Sequence, residues 1–588
     1  MATTTPRPAG LGAALRTRGS LVVDVLVVAA VVSLVGGLIA YGEQFTAPFH
    51  EKTLIRLSWT ALPRYAFFSL CRGFAAYGVS LAFTLVYATA AARSARAERL
   101  LLPIVDVLQS IPVLGFLPGL VLGMIAIFPT REIGLEIACI VMIFTGQAWN
   151  MTISFYASLK SIPQPLREAA AVYRLPRRRI FRILEVPASM IGLVWNSMMS
   201  MAGGWFFLTV NEAFTLGDKD FRLPGIGSYM AEAINRGNVP AMIAGITAMA
   251  IMIVAVDQLF WRPIVVWSER FKLEDTAASE QPQSWFLGLL RQSRLAEWFY
   301  ERRRDAAARL RIGRRPATRP AGTVGTPPAA RVTSRAVLRR AGTVALVALV
   351  AWGAWSVVGL LTRLPLRNAA THEDWLHVAL AVGATFLRTT AAVVLGAAWA
   401  VPAGILIGLS PRWSQRLQPV VQVVASFPAP MIFPLVVLVL RAVSVPFTAG
   451  CVVLMLLGAQ WYILFNVIAG AMAIPADLKE VGRVMGTRRR RMWTRLYLPC
   501  VFPYLVSGLV TAAGGAWNAS IVSEYVSVQG ETYTAFGLGS LISQATARGN
   551  FPLLVAGVLG MAVAVVLINR LFWKRLFRLA ERRYSLSA

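Results

Sequence analysis

Side chains able to do covalent or metal chemistry are few in this chain, and they are scattered. It has 588 residues, four Cys and three His. Cys71, Cys139, Cys451 and Cys500 lie far apart, in or beside apolar runs, with neither a Cys-x-x-Cys pair nor a zinc spacing, so they read as small apolar packing. His372-Glu373-Asp374-Trp375-Leu376-His377 places two imidazoles near one helix face. A metal there needs further ligands, and the segment reads instead as a polar loop that starts a helix. No Gly-Lys dipeptide occurs, so there is no P-loop. Gly225-Ile226-Gly227 and Gly537-Leu538-Gly539 are expected to follow no strand and are not read as nucleotide loops. The expectation is a chain that is not an enzyme and binds no metal and no cofactor of its own.

Polar groups at membrane depth are costly, and they are the remaining functional candidates. Glu212 and Glu524 fall near the outer ends of two apolar runs, where a carboxylate suits anion binding poorly and a hydrogen-bonded structural role or a gate fits better. Arg72 and Arg388, at the outer starts of two other runs, would either attract an anion or reach the headgroups. Pro112 with Pro118 and Pro428 with Pro434 break two runs and free backbone groups that protein or cavity water must satisfy, with Ser110 and Ser426 at the breaks. Trp149, Trp461, Trp205 and Trp517 either line the interface between two halves or pack a core.

These residues need elements to hold them, and composition says which kind. The chain is 56% hydrophobic and 15% charged, with a mean hydropathy of +0.60, where a soluble protein would carry about a quarter charged residues. An all-α polytopic membrane protein follows, because helices satisfy their own backbone in lipid. Apolar runs near 21–41, 66–92, 100–128, 134–158, 187–211, 239–267, 342–361, 378–409, 417–440, 446–470, 499–523 and 552–573 predict about twelve transmembrane helices. Net charge is +30. The basic clusters follow the second, fourth, eighth, tenth and twelfth runs, which puts them and both termini in the cytoplasm by the positive-inside rule and argues against nucleic acid as the partner. Residues 268–340 read as a basic cytoplasmic linker. It has a Pro/Gly/Ala/Thr-rich tract over 316–330, and residues 285–300 suit a helix lying in the lipid interface.

The halves repeat. A shift of 312 residues takes Pro163 to Pro475, Trp149 to Trp461, Glu168 to Glu480, Trp205 to Trp517 and Glu212 to Glu524; a shift of 316 takes Arg72 to Arg388 and Ser110 to Ser426. Six spans per half make the copies parallel, related by an axis along the membrane normal. The expected organisation is an N-terminal part over 1–65, repeat 1 over 66–267, the linker over 268–340, a seventh span with its outer loop over 341–377, and repeat 2 with a basic tail over 378–588.

Between the fourth and fifth runs lies Glu168-Ala169-Ala170, with Arg174 six residues after the Glu and Val186-Pro187 closing the segment. The second copy has Glu480-Val481-Gly482, Gly486 and Leu498-Pro499. Each reads as a short helix begun by Pro, a break, and a basic stretch entering the next run. The pair resembles the EAA loop of binding-protein-dependent ABC importer permeases. Arg174 replaces the family's Gly in the first copy, and Val481-Gly482 replaces Ala-Ala in the second. With Trp205 to Glu212 before Gly225-Ile226-Gly227 and the matching second copy, the chain looks like the duplicated, fused permeases of the nitrate/sulfonate/taurine branch.

That resemblance implies the type I ABC importer fold in a bacterial inner membrane. It also implies two ATP-binding subunits, alike or different, which carry ATP and Mg and seat the two loops as coupling helices. An extracytoplasmic substrate-binding protein would deliver a small inorganic or organic anion. Two rivals are a twelve-span secondary transporter, with Asp24, Asp106 and Asp257 as ion-coupling candidates that the repeat does not duplicate, and a non-transporting membrane scaffold.

Overall fold

The computed structural model describes residues 11–49, 53–110, 113–216, 219–271, 285–290, 302, 348, 351–353, 355–365, 374–485, 488–528 and 530–584. The chain divides into two compact units, residues 1–40 with 280–362 and residues 41–279 with 363–588. To the first belong most of helix α1 (Leu11–Thr46), a short helix over Trp285–Leu290 and an apolar helix over Ala351–Leu361. Side chains such as Leu26, Val32 and Ile39 leave α1 apolar and exposed, the signature of a helix that faces lipid. Of the interfacial stretch expected over 285–300, Trp285–Leu290 is helical; the remainder, and the 316–330 tract, lie outside the described residues.

The second unit holds both repeats. Copy one runs α2 (Leu62–Arg93), α3 (Ala95–Ser110), α4 (Leu117–Ile127), α5 (Ile133–Lys160), α6 (Gln164–Val172), α7 (Met190–Asn211), β1 (Ala213–Leu216), β2 (Lys219–Arg222), α8 (Ile226–Asn235) and α9 (Val239–Val256). Copy two runs α10 (Trp375–Leu409), α11 (Pro411–Ser426), α12 (Ala429–Ala442), α13 (Phe447–Met472), α14 (Ala476–Val484), α15 (Leu498–Ser523), β3 (Tyr525–Val528), β4 (Glu531–Thr534), α16 (Leu538–Ala547) and α17 (Phe551–Ile568). The same 312-residue shift relates α6 to α14, β1 to β3, β2 to β4, α8 to α16 and α9 to α17 with matching ends. It also relates the π-helical turns Phe181–Glu185 and Asp257–Trp261 to Trp493–Tyr497 and Asn569–Trp573.

Local chemistry explains the boundaries. Asp374 caps α10 by accepting the His377 backbone N–H at 2.6 Å, so this part of the His-Glu-Asp segment starts a helix. Asn238 and Asn550 cap α9 and α17 in the same way, each followed by Pro in the first turn. Pro428 holds Phe427 extended, with ψ 129°, and α11 and α12 meet there at 83°.

One expectation changes here. Among the described residues eight helices are long and apolar enough to cross a membrane, or nine if the bent α11–α12 pair is one span, where twelve were expected. The 100–128 run is split into α3 and α4, α7 carries Asn196, Ser197 and Ser200 in its middle, and of the 342–361 run the described helix, Ala351–Leu361, is too short to cross on its own. The fold is all-α, as expected, and carries two short antiparallel hairpins, β1–β2 and β3–β4.

Close helix packing in copy two uses glycine. A methyl group at Gly404 of α10 would lie 2.7 Å from the Val467 side chain of α13, and at Gly408 2.6 Å from the Ile468 carbonyl oxygen. The four-residue spacing aligns both on one face, where small residues let the backbones approach. Copy one uses Ala88 there, fully buried against Met151 and Phe155 of α5. Gly408→Leu is expected to cost about 1–3 kcal/mol or more through overpacking and to lower the thermal midpoint of the purified chain. Gly383→Leu on the same helix, where an added Cβ meets nothing within 4 Å, should leave the midpoint unchanged.

Candidate functional site: buried locks, a shared cavity and two exposed helices

The helix α7 ends at Glu212, whose carboxylate sits fully buried at the start of α8. Gly227 donates its backbone N–H to Glu212 Oε2 at 2.7 Å, Ser69 donates to Oε1 at 2.6 Å, and Arg72 Nη1 donates to Oε1 at 2.7 Å. Ser69 in turn accepts the Ile226 N–H at 2.9 Å. Copy two repeats the arrangement: Glu524 accepts from Gly539 N–H at 2.9 Å, Thr385 at 2.9 Å and Arg388 at 2.8 Å, while Leu538 N–H donates to Thr385 at 2.7 Å. A negative carboxylate at a helix N-terminus satisfies N–H groups that the helix itself leaves open. Gly225 and Gly537 are required, because a Cβ at either would lie 2.3 Å from the carboxylate.

Copy one has a third partner. Arg72 makes a two-pronged bond to Glu136 of α5, at 2.6 Å and 2.7 Å, and Tyr41 donates to Glu136 at 3.0 Å. Arg72, Glu136 and Glu212 are all 0% exposed, so Coulomb attraction and fork-shaped bonding must offset the cost of removing three charges from water. Arg388 keeps 11% side-chain exposure and has one carboxylate partner. This placement corrects the reading of Arg72 and Arg388 as anion attractors or headgroup contacts. The Gly-x-Gly segments do follow strands, contrary to expectation, but these are antiparallel hairpin strands, and the helix N-terminus behind each is occupied by Glu212 or Glu524. Outside the spans, Glu232 of α8 binds Arg222 and Arg236; burial pushes its pKa up, but the bonds to the two guanidinium groups outweigh that and hold it below the usual carboxylate value.

A cavity of about 280 Å³ lies between the copies. Trp149, Trp461 and Trp517 line it, together with Trp573 and Asn569 from the π-helical turn after α17. Trp205 does not; it is buried against Gly73 of α2. Ser426 donates to its own helix at the Gln422 carbonyl, 2.7 Å away. Ser110 ends α3, its side chain outside the described residues. Neither arginine nor glutamate of the locks reaches the lining.

The short helices α6 and α14 present matched exposed faces. Leu166, Val172 and Tyr173 are exposed on the first; Leu478, Val484 and Met485, each 312 positions later, are exposed on the second. Glu168, Ala169, Glu480 and Val481 are exposed too. Ala170 is buried, and at its equivalent Gly482 an added Cβ would lie 2.6 Å from the Met492 sulfur. Arg174 adopts φ 47°, the left-handed conformation expected of the family's Gly. Gly486 lies outside the described residues.

Sequence reasoning missed Glu136, Ser69 and Thr385. The 316-residue shift aligns Ser69 with Thr385, three residues before each arginine, which was the available signal. Glu136 has no such mark, because copy two lacks an equivalent partner.

Fold and site together define a polytopic helical membrane protein made of two copies of one unit around a shared cavity. The chain belongs to the family of inner membrane components of binding-protein-dependent transport systems, whose model matches it twice, over residues 81–260 and 400–585. It is similar to the nitrate import permease protein NrtB of Leptolyngbya laminosa, 26% identical over 190 residues covering 32% of this chain and 64% of that protein. The bicarbonate transport system permease protein CmpB of Synechococcus elongatus is 28% identical over 194 residues, 30% of this chain and 68% of CmpB. The glycine betaine/proline betaine transport system permease protein ProW of Salmonella typhimurium is 23% identical over 227 residues, 38% of this chain and 60% of ProW. The chain spans less than two thirds of the NrtB and ProW sequences it matches. The double match makes it a fused, duplicated permease subunit.

The locks yield a ranking. Arg72→Met strands two buried carboxylates and should cost about 3–5 kcal/mol; Arg388→Met, with one partner and some exposure, should cost less. Thermal unfolding of the purified full-length variants measures the order, and equal, negligible losses would contradict it.

Proposed function

We propose that this chain is the membrane-spanning part of an ATP-driven importer that moves a small anion, of the nitrate, bicarbonate or sulfonate kind, into the cytoplasm by alternating access of the cavity between its repeats. In this reading α6 and α14 are coupling helices. Each docks through its exposed apolar residues onto one of two ATP-binding subunits, alike or different, which hold ATP and Mg and do the hydrolysis. An extracytoplasmic binding protein delivers the substrate to the opposite face, and both termini lie in the cytoplasm.

One observation carries the reading: two short helices, 312 residues apart, expose apolar side chains at the same positions beside an exposed glutamate. Exposed apolar surface that recurs by position marks an interaction site, and the pairing fits a motor with two seats. The family match and the nitrate and bicarbonate permease relatives support transport and an anionic cargo.

The test is assembly. Glu168→Lys together with Glu480→Lys places a positive charge on both docking faces without touching the cavity or the locks. The expected outcome is loss of co-purifying ATP-binding subunits and at least a tenfold fall in substrate-stimulated ATP hydrolysis, equivalent to about 1.4 kcal/mol or more. A double variant that assembles and stimulates hydrolysis normally would reject the coupling roles.

A further inference from the structure

We propose that the cavity between the repeats is built for an organic anion, an oxyanion head on an apolar body, in preference to a bare inorganic anion. The inference rests on the importer reading above and narrows its substrate class. No Asp, Glu, Lys, Arg or His is among the described residues that line the cavity. A nitrate or bicarbonate entering it would exchange hydration for neutral dipoles only, with no fixed cation to compensate. Size points the same way. About 280 Å³ has room for on the order of ten waters at about 30 Å³ each, so a four-heavy-atom ion would leave most of the wall facing water.

That wall is aromatic. Trp149, Phe207, Trp461 and Trp573 supply ring surface from both copies, which favours an apolar body. The polar groups present are neutral donors. Ser200 lines the cavity, is 4% exposed, and its hydroxyl has no hydrogen-bond partner among the described residues. Asn150 from copy one and Asn569 from copy two also line it, and their carboxamides bond to no described residue. Buried hydroxyls are normally satisfied; an oxyanion head satisfies these donors, and no carboxylate on the wall repels it. A quaternary ammonium would find the ring faces attractive but has nothing for the hydroxyl and amide protons.

The experiment titrates the full chain in lipid nanodiscs by tryptophan fluorescence against nitrate, bicarbonate, methanesulfonate, butanesulfonate and glycine betaine, with empty nanodiscs as the control for lipid partitioning. Butanesulfonate should bind most tightly, with affinity rising roughly fourfold per methylene along the sulfonates. Asn150→Leu with Asn569→Leu should weaken it about fivefold or more. Trp149→Ala should flatten the chain-length trend, and Trp149→Phe should preserve it. Nitrate, bicarbonate or glycine betaine binding as tightly as butanesulfonate, or an affinity independent of chain length, overturns the inference. Stimulated ATP hydrolysis of the assembled transporter separates the two levels. Stimulation by nitrate and not by butanesulfonate overturns this inference and leaves the importer reading standing; stimulation by none of the anions, with α6 and α14 intact, overturns both.

Discussion

A carboxylate buried where water cannot reach has to take its hydrogen bonds from protein, and Glu212 and Glu524 do so by gathering three elements each. Glu212 takes its donors from α2 through Ser69 and Arg72 and from the start of α8 through Gly227, while it is itself the C-cap residue of α7. Glu524 repeats this with α10, α16 and α15. Removing any donor leaves a charge in a low-dielectric interior, so the helices that carry them are fixed together at that end. Copy one tightens the knot with Glu136 and Tyr41, and copy two does not. The two halves of a pseudo-symmetric molecule thus differ in how firmly one end is held.

From these knots the rest of each copy is hung along single long helices. At about 1.5 Å per residue, the 28 residues of α5 span about 42 Å. Near its start Glu136 joins the lock, in its middle Thr145 and Trp149 face the cavity, and after Lys160 the chain turns directly into α6. Helix α13 runs the same course, through Trp461 at the cavity to α14. Continuous helix thus links α6 to the cavity and onward to the lock at Glu136, whereas α13 links α14 to the cavity and contributes no residue to the Glu524 lock. The π-helical turns that follow the short helices and end the last spans recur in both copies, and such turns are where a helix tolerates local change.

The parts of this architecture that the sequence made legible are those written twice. Proline and glutamate positions related by 312 residues located α6 and α14; that Arg174 takes the left-handed conformation, φ 47°, although it stands where the family has Gly, was not legible in the sequence. Apolar runs located most spans. Counting them failed where a helix breaks at proline, as at Pro428, or where its middle is polar, as in α7, because hydropathy does not see a bend. The hairpins after Glu212 and Glu524 were missed because four-residue strands carry too little periodicity. Arg72 and Arg388 were misplaced for a different reason: an arginine near the end of an apolar run looks the same whether it turns outward or meets a carboxylate from a helix 140 residues away. Pairing across such distances is a property of the packed state.

The central claim is that two exposed helices are where an external ATP-driven motor grips this membrane unit. A cryo-EM structure of the chain assembled with its ATP-binding subunits tests it most directly. Val172 and Tyr173 on one side, and Val484 and Met485 on the other, should be buried in grooves of those subunits. A complex in which these four side chains face solvent while the ATP-binding subunits attach elsewhere would contradict the account.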